Sequence, residues 1–327
     1  LVALLAVSCL GKVDSLYGQN YKPFTQAAPR KLRKLKSPSV PFELGPVIPG
    51  LHQSAVPQGI AYADKQNRIL ISHYVENSPS RISIIDNSSG KVLFSVLLKE
   101  GPKKFHTGHV GGIAIINNSL RVASDEHVMQ YDLKPFLSKS PPKSISPVSV
   151  RKAETMASFC TATSGTLFVG EFAYGRSYPT TPSHHLVDRK GVKKYAWVCG
   201  YSAEGLLGQP KFIISVRQRV QGMYVTDKRI FLSLSYGRRN RSTIVIYKNP
   251  LRETPHARAN LSDGTVVPLW YLDGKNYLTE IDLPPMAEGI TMVGDKLAVL
   301  SESGANKFQR QGLGPLDYIL FLDVSSK

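Results

Sequence analysis

PQGIAYADKQNRILIS, residues 57–72, has the form of a β-hairpin: a polar residue, a glycine, an apolar run, a short polar turn, a second apolar run and a closing serine. Asp, Lys and Asn between the runs supply turn chemistry, and alternating apolar positions supply the strands. The same order returns in VGGIAIINNSLRVAS (110–124), VQGMYVTDKRIFLSLS (220–235) and AEGITMVGDKLAVLSE (287–302). A degenerate copy, MASFCTATSGTLFVGE (156–171), lacks the first glycine. Like hairpins recurring along one chain mark an array of like units.

A third strand is expected after each hairpin: SRISIID (80–86), HVMQYDL (127–133), HHLVD (184–188), STIVIYK (242–248) and DYILFLD (317–323). KVLFSVLL (91–98) and KSISPVSV (143–150) read as fourth strands of the first two copies. Four short strands per unit is the pattern of a propeller blade. The reading is an all-β chain folded as a five-bladed β-propeller over residues 42–327, as one domain. Six blades is the alternative, because the stretch from His184 to Val216 has room for extra strands. The last copy runs out after its third strand, and FELGPVI (42–48) precedes the first hairpin as a fourth strand would. This segment is expected to pair near 317–323 and close the ring, removing two sheet edges. No window carries convincing helical periodicity.

The blade openings QGIA, GGIA, QGMY and EGIT resemble those of the senescence-marker/gluconolactonase and NHL-like secreted propellers, over roughly residues 42–324. The resemblance implies the architecture. The gluconolactonase type places a metal-binding Glu before the first-blade glycine; this chain has Gln58 there, and carries a Glu in such a position only at Glu288.

The chain has 327 residues, 42% of them hydrophobic, which excludes a mainly disordered protein. With 41 Lys and Arg against 24 Asp and Glu, its formal charge is +17, which favours anionic partners: a small anion, an acidic polysaccharide or a membrane surface. Finger spacing, basic heptad helices and Gly/Lys-interleaved aromatics are all missing, so nucleic acid is not expected. LVALLAVSCL (1–10) is an apolar run too short to span a bilayer, and no later run reaches 18 apolar residues. Residues 1–15 read as a signal or lipoprotein leader, with Cys9 as the lipid site in the second case. Residues 16–41 read as a basic, Pro-rich exposed tether. The expectation is a secreted or extracytoplasmic monomer without a transmembrane segment. Cys160 and Cys199 could form one disulfide if the third blade departs from the simple strand order. Asn87, Asn117, Asn240 and Asn260 stand in Asn-x-Ser triplets.

In a propeller, residues opening the innermost strands and residues following the second strands converge on one mouth of the central channel. The first set is Gln58, His109, Gln221 and Glu288. The second is His73, Tyr74, Asp125, Glu126, His127, Glu171, Tyr236, Arg238, Glu302 and Ser303. His109, Asp125, Glu171, Glu288 and Glu302 are therefore candidate catalytic residues, since paired carboxylates divide acid and base roles. Glu171, Glu288 and Glu302 are candidate ligands of a divalent cation, Ca²⁺ fitting oxygen donors best. Tyr236, Arg238 and Lys307, in the polar loops SYGRRNRS (235–242) and ESGANKFQRQ (302–311), are candidate substrate contacts for a carboxylate, sulfate or phosphate. The functional expectation is a hydrolase or lyase acting on an anionic or sugar-like substrate. A non-catalytic module for an acidic glycan, cell wall or membrane surface is the alternative.

Overall fold

Along RILIS, residues 68–72, successive side chains leave the strand on opposite faces, and both faces are buried. Ile69 and Ile71 pack among Ala298, Leu300 and Ile319 of the last blade, whereas Leu70 packs among Ile113, Leu120 and Val122 of the second. A sheet sandwiched between two others is apolar at consecutive positions, which is why the hairpin runs read as nearly continuous hydrophobic stretches. Each fully buried Leu or Ile contributes about 1.5–3 kcal/mol relative to exposure. Five such clusters occur, one at each junction between neighbouring blades.

The structure is a computed structural model and describes residues 21–30, 38–308, 314–325 and 327. Each blade is a four-stranded antiparallel meander. Blade one comprises Ala55–Ala63, Arg68–Val75, Ser78–Asp86 and Val92–Leu98. Blade two comprises Gly112–Ile116, Ser119–Ser124, His127–Asp132 and Ser149–Lys152. Blade three comprises Phe159–Thr163, Thr166–Gly170, Ala196–Ser202 and Phe212–Val216. Blade four comprises Val220–Val225, Arg229–Leu234, Ser242–Lys248 and Tyr277–Leu283. Blade five comprises Ala287–Val293, Lys296–Ser301, Tyr318–Asp323 and, from the other end of the chain, Phe42–Val47.

Ring closure occurs as the sequence predicts: Phe42 lies opposite Leu322 and Leu44 opposite Leu320, antiparallel. The blade-opening glycines allow the innermost strands to crowd around the axis. A Cβ on Gly59 would sit 2.7 Å from the backbone N of Ile113, and one on Gly289 would sit 2.8 Å from the carbonyl O of Gln58. Neither clash involves a flexible side-chain end, so a larger residue would force the blades apart.

Three readings of the sequence need correction. HHLVD is not the third strand of blade three: Pro182–His184 is a single 3₁₀ turn, and Leu186–Val187 pairs in a small hairpin with Lys193–Lys194. The stretch that allowed a sixth blade instead holds blade three's own third and fourth strands. KSISPVSV is split, with Ser144–Ile145 running parallel to blade one's outer strand and Ser149–Lys152 beginning at its end to complete blade two. An insertion from blade four, Val266–Tyr271, likewise adds in parallel to blade three's outer strand. Both additions cover edges that would otherwise present unpaired backbone.

Part of the segment read as an exposed tether lies against the propeller. Phe24 is buried with Ala55 and Val75, its ring 4.6 Å from the Arg81 guanidinium and edge-on to His73. The Tyr21 hydroxyl donates to the Ser95 carbonyl, and Gln26 donates to the Val47 and Gly90 carbonyls. Arg30 pairs with the buried Asp317 carboxylate. The leader, residues 1–15, falls outside the described residues. Among those described, no helix is long and apolar enough to cross a membrane.

Candidate functional site

In three blades the innermost strand bulges at the glycine motif, the register shifting between Pro57 and Ile60, Val220 and Gly222, and Ala287 and Ile290. A bulge re-aims the side chain it carries. Gln58, Gln221 and Glu288 accordingly line one mouth of the channel, a funnel of about 680 Å³. Tyr74, near the end of blade one's second strand, and Asp125, Tyr236, Arg238, Glu302 and Lys307, from loops after the other second strands, add to its wall, and His109 enters from the approach to blade two. Seven of the eight residues proposed from sequence as catalytic or substrate-binding therefore share one cavity.

Glu288 and Glu302 form its electrostatic centre. Glu288 is buried, and burial followed by the neighbouring Glu302 charge pushes its carboxyl well above the usual range. Burial also lifts Glu302, to about 7, opposed by the Gln58 hydrogen bond and by the charges of Lys307 and Arg238. Gln58 Nε2 donates to Glu302 Oε2 at 3.3 Å, and Gln221 Nε2 donates to Glu288 Oε1 at 3.2 Å. Burial thus makes both carboxyls harder to ionise than usual, Glu288 the more strongly of the two. Two carboxyls shifted to unlike extents are the raw material of paired acid and base chemistry.

The cations stand on the wall. Lys307 donates to the Tyr74 hydroxyl at 3.2 Å, and its ammonium lies 5.3 Å from the Tyr74 ring. The Arg238 guanidinium lies 5.1 Å from the Phe308 ring. His109 meets Tyr74 edge-on, ring centres 4.5 Å apart. Burial lowers the His109 pKa, Asp125 opposing and Lys307 assisting, so the imidazole is neutral at pH 7. Asp125 is exposed at the mouth and accepts from Ser124 Oγ at 2.8 Å.

Glu171 does not join them. It is buried behind the wall, where its Oε1 takes a 2.7 Å hydrogen bond with His184 Nδ1 and accepts from the Trp197 N–H at 3.0 Å. His184 stacks on Trp197 with ring centres 3.9 Å apart. Both side chains are closed off from the cavity, so Glu171 is an anchor for the loop that follows blade three's second strand, and the three-Glu metal set is not assembled. Among the described residues, no three His, Cys, Asp or Glu side chains gather closely enough to hold a metal ion. Four members of the wider converging set also lie elsewhere. His73 is buried beneath Phe24, Glu126 pairs with Lys152, His127 turns to the Asp125 carbonyl, and Ser303 bonds Ser301.

Tyr236, a candidate from the sequence, belongs to an aromatic wall whose other members the sequence reading does not name. Phe172, Tyr178 and Tyr236 line the funnel, Phe172 lying 5.1 Å from Tyr178, and Tyr174 stacks on Tyr236 at 3.6 Å. The signal was present in EFAYGRSYP, residues 171–179, three aromatics in a Gly- and Pro-containing loop. The two core thiols are unpaired and buried. Cys160 and Cys199 flank Val169 on consecutive strands, roughly two strand spacings (about 9.6 Å) apart, beyond disulfide reach.

No protein-family model matches the chain, and no curated protein matches it. Solved structures do. The computationally designed Ika4 protein is similar at 8% identity and a TM-score of 0.29, over 64% of this chain and 92% of that one. A Bacteroides uniformis protein assigned as a 6-phosphogluconolactonase is similar at 10% identity and 0.38, over 75% and 63%. The WD40 domain of Toxoplasma gondii coronin is similar at 8% identity and 0.33, over 78% and 53%. The chain thus spans less than two thirds of the length of the last two. These likenesses are of fold alone.

Proposed function

We propose that this propeller is a hydrolase or lyase that cleaves an anionic, sugar-like substrate in the funnel. The observation that carries the reading is the Glu288–Glu302 pair, two carboxyls raised above their ordinary range by burial in a 680 Å³ cavity with Lys307 and Arg238 on its wall. Glu302, as carboxylate, takes a proton from water in hydrolysis, or from the carbon beside the substrate's carboxylate in elimination. Glu288 gives its proton to the departing oxygen. Arg238 and Lys307 hold the substrate's negative charge, Arg by a two-pronged contact. Phe172, Tyr178 and Tyr236 give the sugar faces an apolar surface.

A divalent cation is the alternative occupant of the floor. The Glu288 and Glu302 carboxylates and the amide oxygens of Gln58 and Gln221 are hard donors suited to Ca²⁺, provided that both amides turn. The second reading, a non-catalytic module for acidic glycans, draws on the +17 charge and the same cations. In either case we take the protein to be exported, on the strength of the apolar run at residues 1–10.

The test is incubation with uronate- and sulfate-bearing oligosaccharides, with and without Ca²⁺. New reducing ends alone indicate hydrolysis, and new ends together with an ultraviolet-absorbing unsaturated product indicate elimination. Binding without any product, equal in wild type and Glu288→Gln, would leave only the binding module.

A further inference from the structure

A second cavity, of about 570 Å³, opens between blades three and four. It is lined by residues from three directions: Lys193 from the small hairpin, Arg217 and Arg219 from the connection between the blades, and Tyr247 and Tyr277 from the outer strands of blade four. Tyr174 forms the wall nearest the funnel. Among the described residues the one carboxylate lining this cleft is Asp273, and it is already engaged by Arg189, Nε to Oδ2 at 2.7 Å and Nη2 to Oδ1 at 2.8 Å. The adjacent Lys194 is likewise taken up by Asp188 at 3.1 Å. What remains facing the cleft is net positive charge set among phenol rings.

The cations are held in place. The Arg217 guanidinium sits beside the buried Tyr247 hydroxyl, where it opposes the upward pull of burial on the phenol. Arg219 has a left-handed backbone, φ 69°, fixed by its N–H donating to the Ala173 carbonyl at 2.9 Å and its carbonyl accepting from Ser235 at 3.0 Å. Backbone of this kind persists only where its surroundings over-determine it. Lys193 is exposed, with its ammonium 5.4 Å from the Tyr195 ring. The cleft and the funnel share a partition. Tyr174 of the cleft stacks at 3.6 Å on Tyr236 of the funnel, so one pair of rings faces both cavities.

We propose that this cleft is an outer subsite that binds the anionic sugar units of an oligosaccharide whose reacting end lies in the funnel. It rests on the funnel reading only for which end reacts. Guanidinium groups match carboxylate and sulfate oxygens, and tyrosine faces match the apolar faces of sugar rings. The ligand is therefore anionic and longer than one sugar unit.

The experiment uses the full chain, a Tyr277→Trp reporter in the cleft, and four probes: galacturonate, tetragalacturonate, a heparin tetrasaccharide and uncharged maltotetraose. At least one charged tetramer should change the reporter fluorescence saturably, while galacturonate and maltotetraose should not. Arg217→Gln with Arg219→Gln should weaken that tetramer at least tenfold and leave galacturonate binding unchanged. Lys193→Ser, at an exposed position, provides a milder variant whose fold is not in question and should weaken it two- to fivefold. A charged tetramer weakened by Arg238→Ala but by none of the cleft variants overturns the subsite and keeps the funnel. Cleft-dependent binding without any turnover keeps the subsite while the enzymatic reading fails. Equal binding of maltotetraose, or a silent reporter with both charged tetramers, overturns the subsite.

Discussion

Gln58 on blade one donates its Nε2 to Oε2 of Glu302 on blade five, 3.3 Å away, across the seam where the ring closes. The contact favours the ionised carboxylate, because an amide N–H has most to give to a charged acceptor. It works against the burial that holds Glu302 near 7, as do Lys307 and Arg238.

The rate of the proposed reaction should therefore rise as pH climbs through about 7, where Glu302 becomes a base, and fall only where Glu288 gives up its proton. Glu302→Gln and Glu288→Gln should each lower kcat/KM by about 10²–10⁴-fold, the range of a lost acid or base. Gln58→Leu should shift the lower limb to higher pH with a smaller loss of rate. A pH profile of kcat/KM for the four proteins checks this, and a limb unmoved in Gln58→Leu contradicts it.

Stability should carry the same signature. Burial raises the Glu302 pKa from 4.5 to about 7 on folding, so between those values the folded protein keeps a proton that the unfolded chain releases. The stabilising contribution is complete below pH 4.5 and is lost as pH rises through 7. Glu302→Gln removes that slope, and at pH 8 the variant should be more stable than wild type by about 1–3 kcal/mol. Urea unfolding at pH 5 and pH 8 gives the comparison. Equal slopes in the two proteins would contradict the assignment.

Glu171 supplies a contrasting case. Glu171→Ala strands the His184 ring and the Trp197 N–H in a dry environment and should cost about 2–4 kcal/mol. Glu171→Gln keeps an acceptor oxygen and should retain more of the stability, together with most of the activity measured below its melting temperature. A catalytic Glu171 would instead lose activity in both variants.

The thiols give a test of the packing. Cys160 is pushed up to about 12 by burial, and Cys199 is raised well above the ordinary thiol range by the same cause. Neither should be alkylated in the native protein at pH 8, and both should react once urea unfolds it. Mass mapping of the labelled peptides decides the point. Rapid native labelling of either would show that blades two and three are less tightly closed than drawn.

The propeller was legible because its signal is repeated: five hairpins with one grammar outweigh any single ambiguous strand. Convergence on the funnel follows from that topology, so Gln58, His109, Gln221, Glu288 and Glu302 can be assigned to one cavity from their places in the repeat. Blade three was the weakest point because its third strand, AWVCGYS, follows a 25-residue excursion after the second. His184–Asp188 resembled a strand by composition and lay where one was due. Glu171 was misplaced for a different reason. Its position in the repeat matches Glu302, but the choice between facing a cavity and facing a histidine depends on a loop partner that the repeat does not specify. The seating of Phe24 and Arg30 was hidden likewise, since their partners, Asp317 among them, lie far away in the sequence.

The strand that completes blade five has a consequence for how the protein is made. Phe42–Val47 leaves the ribosome roughly 280 residues before Leu322, its partner, which at ~5–20 residues per second is a wait of tens of seconds. Throughout translation of blades one to four this segment has no hydrogen-bonding mate, and at the end blade five must capture it rather than a strand from a neighbouring nascent chain. Leu44 remains exposed even after pairing, and Glu43 beside it forms an ion pair with Lys296 of the adjoining hairpin. A charge at that position discourages self-association during the wait and favours the correct dock when the last blade arrives.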